Sequence, residues 1–305
     1  MNNKRLLLSH SIAELFDTKL PYFIGARQLR NFLTQLLSPS MTPPQRISTR
    51  YGFDMMLTTS YDAIDNDLYT MGTYEAGTLN IINNCLNEGD IFVDVGANIG
   101  LMSLLASSLV GESGAVYSFE PVTTTFNLLN KNITLNQIDN IQTMNFGLGS
   151  APGTALIFEV DHENRGMSSF VERKVNNDKG TEVSINTLDS FLVSKEVENV
   201  RLLKIDVEGW ELEVLKGAQE LIRKPEAPII CIEYNKQFPE HKAIYELIIS
   251  SNKYHIYILP HGNWHTSRLI RIRNLDDLPT INNFNIYCFL PIHKESIPAS
   301  LFANR

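Results

Sequence analysis

Residues 90–100, Asp-Ile-Phe-Val-Asp-Val-Gly-Ala-Asn-Ile-Gly, constrain the fold of this chain more than any other stretch. They join an apolar run to a glycine turn, and Leu101 to Ala106 follow as a string of helix formers. An unalternating run such as Ile91 to Val95 suits a strand covered on both faces, and a turn leading such a strand into a helix builds a parallel sheet. Glycine at 96 admits a backbone conformation closed to residues with a Cβ, and glycine at 100 lets strand and helix, or a ligand, approach closely. The N–H groups freed at the helix start face that ligand. The spacing is neither G-x-G-x-x-G nor G-x-x-x-x-G-K-[ST], which sets aside dinucleotides and nucleoside triphosphates.

Asp94 ends the strand, where a carboxylate opposes pyrophosphate but suits a cation-bearing ligand. One βαβ unit later, Ala115 to Phe119 read as the next strand and Glu120 follows, where this architecture holds a ribose diol. The pair of acids favours S-adenosylmethionine, which carries both a cation and a ribose. A later segment, Leu202 to Ala218, repeats the grammar of strand, acid, glycine and helix, and contains Lys204-Ile205-Asp206-Val207-Glu208-Gly209-Trp210-Glu211. Solvated strand ends and plain tight turns are the bland readings of each piece, and their joint occurrence at successive strand tips outweighs them.

The three segments D-V-G-A-N-I-G at 94–100, F-E-P at 119–121 and K-I-D-V-E-G-W-E at 204–211 resemble, in this order, the FkbM family of S-adenosylmethionine-dependent methyltransferases. The resemblance runs from about Thr73-Tyr74-Glu75 to Ile232-Glu233-Tyr234, roughly half of the chain. It implies an α/β class I methyltransferase fold: a Rossmann-like, seven-stranded, mostly parallel sheet with helices on both faces. Periodicity agrees, with strands near 91–96, 115–120, 141–146, 202–206, 229–233, 255–259 and 285–290, and helices over Thr124 to Leu135 and Trp210 to Ile222. Between the third and fourth strands, Thr154 to Val160 and Thr181 to Ser190 alternate as added strands or a hairpin would. The insertion spans about 150–190, and a long insertion at this edge is usually functional.

For the donor, the resemblance implies Asp94, Gly96, Ala97, Asn98 and Gly100 in the first turn, Glu120 and Pro121 in the second, and Glu75 upstream. Phe146 and Gly147 end the third strand where an adenine would lie, with plain core as the equal alternative. Asn164 and Ser168, in a glycine and serine segment similar to the family's, are candidate acceptor contacts or simply a turn.

Methyl transfer to an alcohol needs in-line positioning and removal of a weakly acidic proton. Asp206 and Glu208 are the candidate bases by position, then Glu233, then His265 or His261 on a later loop. A carboxylate is a poor base unless burial or neighbouring acids raise its pKa. The same acids holding a divalent metal is the less favoured alternative, so no metal is expected. Glu211 reads as a first-turn acid facing the helix dipole, and Lys204 as the partner of an acid. The leading reading is O-methylation of a sugar, glycolipid or polyketide-like metabolite. Methylation of nitrogen or a carboxylate, and a non-catalytic S-adenosylmethionine-binding partner protein, stay as alternatives.

The 305 residues, 43% apolar, suffice for one substantial core. Residues 71–305 are expected to form the methyltransferase domain, preceded by a helical extension over 1–70. A net charge of −8 argues against a nucleic-acid binder and leaves a small-molecule or glycan acceptor. Cys85, Cys231 and Cys288 lack metal-ligand spacing and read as reduced. Leu6-Leu7-Leu8 is too short for a signal-peptide core, and no run approaches a membrane span, so a cytoplasmic location is expected. Leu6 to Leu15 and Ala26 to Leu37 read as amphipathic helices for packing or for a homodimer.

Overall fold

A computed structural model describes residues 2–158, 170, 180–260 and 267–303. Its centre is an eight-stranded sheet built from β3 (Ile91–Val95), β4 (Ala115–Phe119), β5 (Ile141–Met144), β9 (Leu202–Ile205), β10 (Ile229–Asn235), β11 (His255–Ile258), β12 (Ile270–Ile272) and β13 (Asn283–Phe289). The strand order is β12-β11-β13-β10-β9-β3-β4-β5. β3, β4, β5, β9 and β10 pair in parallel, whereas β13 lies antiparallel between β10 and β11. All seven strands read from the sequence are present. The eighth, β12, is a three-residue edge strand pairing antiparallel with β11, and it is too short for periodicity to reveal.

Chain order reverses at the β3/β9 pair, since β4 and β5 extend one way and β9 and β10 the other. Ligands in open α/β sheets bind outside the carboxyl ends of the strands at such a switch point. Side-chain alternation along each strand divides the core in two. Phe92, Leu202 and Cys231 pack with α4 (Ala76–Cys85), α5 (Leu101–Val110) and α6 (Thr123–Leu135) on one face. Val93, Val95, Leu203, Ile205, Ile230 and Ile232 pack with α7 (Leu188–Ser194), α8 (Glu211–Lys216), α9 (Gln219–Arg223) and α10 (His241–Ser251) on the other.

Two expectations, one helical and one of a strand, need correction. Trp210 to Ile222 is two short helices, α8 and α9, separated at Gly217, where a Cβ would stand 2.0 Å from the Gly149 carbonyl oxygen. Thr181 to Ser190 is a strand only as far as Asn186, because the Thr187 side chain accepts from the Ser190 N–H and starts α7. That strand, β8 (Thr181–Asn186), pairs antiparallel with β7 (Gly153–Ile157) and parallel with the two-residue β6 (Gly147–Leu148) in a small separate sheet.

The N-terminal region holds α1 (Asn2–Glu14), a π-helical turn Leu15–Lys19, α2 (Ala26–Leu37), the hairpin β1 (Gln45–Ser48) and β2 (Asp54–Leu57), and α3 (Ala63–Met71). The hairpin is a strand pair within the stretch 1–70 expected as a helical extension, and with α3 it places Ile47, Met55, Leu57 and Leu68 in the main core. Asn132 of α6 and Asn136, which caps that helix, accept from the Met56 and Asp54 N–H groups at 2.8 Å each. α1 and α2 have a small cluster of their own around Phe16 and Ala26, and the fully buried Asp17 pairs with both Arg30 and Arg50 at 2.6 Å. Among the described residues, no helix is long and apolar enough to cross a membrane.

Candidate active site

The turn after β3 is fixed from within. The Gly96 and Ala97 N–H groups both donate to the Phe119 carbonyl, at 3.0 and 2.9 Å, which draws the tips of β3 and β4 together. Gly96 has φ +77, and a Cβ there would meet the Asp206 carbonyl oxygen at 1.9 Å, so both conformation and space demand glycine. At Gly100, φ +94, a Cβ would lie 2.5 Å from Leu129 of α6. Asn132, also in α6, donates to the Ile99 carbonyl at 2.8 Å and ties the turn from behind.

This turn walls a cavity of about 160 Å³ at the carboxyl end of the sheet. Gly96, Ala97 and Asn98 line one side, Asp206 and Glu208 the loop after β9, Glu233 the end of β10, and Tyr74 and Glu75 the start of α4. One carboxylate oxygen from each of Asp206, Glu208 and Glu233 lies within 4.8 Å of the others. Glu75, Asn98 and Glu208 all hold left-handed backbone, with φ of 49, 50 and 55. That conformation costs a residue with a Cβ about 1–3 kcal/mol, and it concentrates where structure serves function.

Residues 94–256 match the methyltransferase FkbM domain model, which is more than half of the chain. The chain belongs to the FkbM methyltransferase domain family. Methyltransferase 1 of Beauveria bassiana is 27% identical over 150 residues, covering 44% of this chain and 60% of that protein. Hexuronic acid methyltransferase AglP of Haloferax volcanii is 31% identical over 130 residues, covering 43% and 50%. This FkbM-domain chain thus spans about half to three fifths of the length of the curated relatives it matches. Among solved structures, a SAM-dependent O-methyltransferase of Thermotoga maritima is similar with a TM-score of 0.38 and 14% identity, over 89% of this chain and 84% of that one.

Within the FkbM domain, seven of the expected site residues share the cavity wall: Glu75, Gly96, Ala97, Asn98, Asp206, Glu208 and Glu233. Glu120 stands directly behind it, accepting from the Asn98 and Val122 N–H groups at 3.0 Å each. Asp94 does not line the wall. It is fully buried, accepts from the Ser103 hydroxyl at 2.6 Å and lies 3.3 Å from the Lys204 ammonium. Lys204 in turn donates to the Gly96 carbonyl at 2.9 Å and lies 3.5 Å from Asp206, so one buried cation ties the two acidic loops together. The expected pairing of Lys204 with an acid is what the geometry contains.

Pro121, Phe146 and Gly147 lie away from this cavity. Phe146 stands edge-on to Phe119 and Phe191 at 5.6 and 6.3 Å, the plain-core alternative, and a Cβ on Gly147 would meet Ile185 at 2.8 Å. Asn164, Ser168, His261 and His265 fall outside the described residues. Glu211 accepts from the Val207 N–H at 3.0 Å and from the Gly209 N–H at 3.1 and 3.0 Å, so it fastens the loop that presents Glu208.

Sequence reasoning missed Asn283 and Asn285. Asn283 donates to Glu233 at 2.7 Å, and Asn285 donates to Glu75 at 3.2 Å and to the Thr78 hydroxyl at 2.9 Å. Two asparagines at alternate positions of an apolar strand were a visible signal, but their targets come from β10 and α4.

Burial dominates the electrostatics. It pushes Glu75 up to about 7, reinforced by Asp206 and opposed by Lys204, Thr78 and Asn285. It pushes Glu120 to about 7 against the Val122 and Asn98 N–H groups, and Glu211 to about 7 against its loop N–H groups. Glu233 is held well above the ordinary carboxylate range by burial and then by the charges of Asp206, Glu208 and Glu211. For Lys204, burial acts downward but Asp94, Asp206 and Glu75 together raise it above the ordinary lysine value.

Proposed function

We propose that this protein transfers the methyl group of S-adenosylmethionine to a hydroxyl of a small hydroxylated acceptor, a sugar, glycolipid or polyketide-like metabolite. The observation that carries the reading is the convergence of Asp206, Glu208 and Glu233 on the cavity beneath the Gly96 turn. Family membership supplies the donor, and a relative named for hexuronic acid supports a hydroxylated acceptor.

The residues present fit such a donor. Asn98 leaves its buried side-chain oxygen without a hydrogen-bond partner among the described residues and lines the cavity, suited to an amine or hydroxyl. Asn98, Gly96 and Ala97 would hold the donor in the first turn, with Glu120 as the carboxylate behind it. When bound, the donor supplies an electrophilic methyl on a sulfonium. The chain's part is to position the acceptor oxygen, exclude water and take up the hydroxyl proton. Glu233 suits that last task, because its raised pKa makes it a stronger base than an exposed carboxylate.

The test is calorimetry with S-adenosylhomocysteine on wild type, Asn98→Ala and Glu120→Ala, followed by incubation with S-adenosylmethionine and hydroxylated acceptors read by mass spectrometry. Donor binding lost in the variants, with a methylated alcohol among the products, is the expected result. Methylation only of amines or carboxylates, undiminished in Glu233→Gln, would replace the hydroxyl reading. Donor binding without any product across the panel would favour the binding-protein alternative.

A further inference from the structure

We propose that Asp206, Glu208 and Glu233 together hold a hard divalent cation of the Mg2+ or Mn2+ class between the ends of β9 and β10. Three carboxylates on two adjacent strand tips each bring an oxygen within 4.8 Å of the others. Oxygens around a six-coordinate cation at ~2.1 Å lie about 3 to 4 Å apart, so a small side-chain adjustment completes the set. The donor set is all oxygen, which selects hard cations over zinc or copper.

A second observation is independent of the cluster's composition. Glu233 is 8% exposed, and its Oε2 is buried with no hydrogen-bond partner among the described residues. Asn283 fixes the other oxygen of the same carboxylate at 2.7 Å, which holds the side chain in place and leaves Oε2 to the site. Outer partners that orient a ligand in this way accompany metal sites generally. A buried, unpartnered carboxylate oxygen is costly, and a cation removes that cost.

Lys204 does not remove it. Among the described residues it is the only Lys or Arg lining the cavity, and it already serves Asp94, Asp206 and the Gly96 carbonyl. The role of the cation rests on the methyl-transfer reading above and, with Glu233 serving as a ligand, takes the place of Glu233 as the base: the cation lowers the pKa of an acceptor hydroxyl placed against it, and the hydroxyl proton leaves to solvent. The new oxygen–carbon bond then forms as the sulfur–carbon bond breaks, with S-adenosylhomocysteine leaving as a neutral thioether and no change of oxidation state. Sequence alone placed the three acids on adjacent strand tips and favoured a metal-free base, because the hold of Asn283 on one Glu233 oxygen and the unpartnered state of the other are not visible in it.

The experiment is Mn2+ titration of EDTA-treated, full-length protein, followed by the electron paramagnetic resonance signal of free Mn2+ and by melting temperature. Wild type is expected to take up one Mn2+ per chain, displaceable by Mg2+, and to melt higher with it. Glu233→Gln and Asp206→Asn should each weaken uptake at least about tenfold, with a smaller loss in Asn283→Ala. Circular dichroism and melting without metal establish that each variant is folded. No uptake at millimolar Mn2+, or equal uptake by folded variants, would overturn the proposal. S-adenosylhomocysteine binding, measured on the same samples, separates the two readings: Mn2+ uptake without donor binding would sink the methyltransferase reading and leave the cation site standing.

Discussion

The two ends of the central sheet partner their polar groups to different degrees. At the amino end, Arg201 donates to the Cys85 carbonyl at 3.0 Å, finishing α4, and to the Ser296 hydroxyl at 2.8 Å. Nearby, His293 accepts the Leu290 N–H at 3.0 Å, and Asn140 binds the Gly111 carbonyl at 2.8 Å. Among the described residues, one buried ring nitrogen, on His255, lacks a partner at that end, whereas at the carboxyl end Asn98 and Glu233 each keep a buried oxygen unpartnered in the wall of one cavity, which four acids and one lysine line. Satisfied polar groups hold a fold together, whereas unsatisfied ones retained in a buried wall mark where stability has been given up for binding or chemistry.

Lys204→Met should break the carboxyl end outright. It strands the buried Asp94 charge, and removing one partner of a buried pair costs about 3–5 kcal/mol, measurable by urea denaturation. An unchanged midpoint would mean that the acids are compensated in another way. At the amino end, burial and then Arg201 lower His293 to about 4 from its ordinary 6.5. The unfolded chain therefore binds a proton that the folded one refuses: this contribution is fully present above about 6.5 and is lost as pH falls toward 4, by about 3 kcal/mol in all. His293→Gln should flatten that part of the stability profile, and an unaltered slope would show His293 to be readily protonated in place.

Gly96→Ala should cost about 1–3 kcal/mol, through collision with the Asp206 backbone and a strained φ, and should abolish S-adenosylhomocysteine binding in calorimetry. Retained binding would separate the turn from the donor. The smallest effect belongs to Glu120. With its carboxyl near 7, donor binding should tighten as pH rises from about 6 to 8, by tenfold for each unit that binding lowers its pKa. Glu120→Gln should remove the trend, and a flat wild-type profile would place the ribose elsewhere.

The strand, turn and helix grammar was legible because it is local. Apolar runs, Gly96, Gly100 and the acids at the ends of β3, β4 and β9 each announce themselves within ten residues, and they were enough to foresee the sheet and its seven main strands. Short or capped elements escaped. β12 is too brief to show a period, and Thr187 turns an apparent strand into a helix through a single side-chain bond.

By itself, then, the sequence determined the sheet, the family and which strand tips are acidic, since hydrophobic period and turn chemistry are written in neighbouring residues. Only the tertiary structure decided that Asp94 turns inward to Ser103 and Lys204, that Phe146 joins an aromatic core, and that Asn283 holds Glu233 beside the Asp206 loop. Those outcomes depend on strand order and register, which bring together residues far apart in the chain, and no local pattern encodes the distance between them.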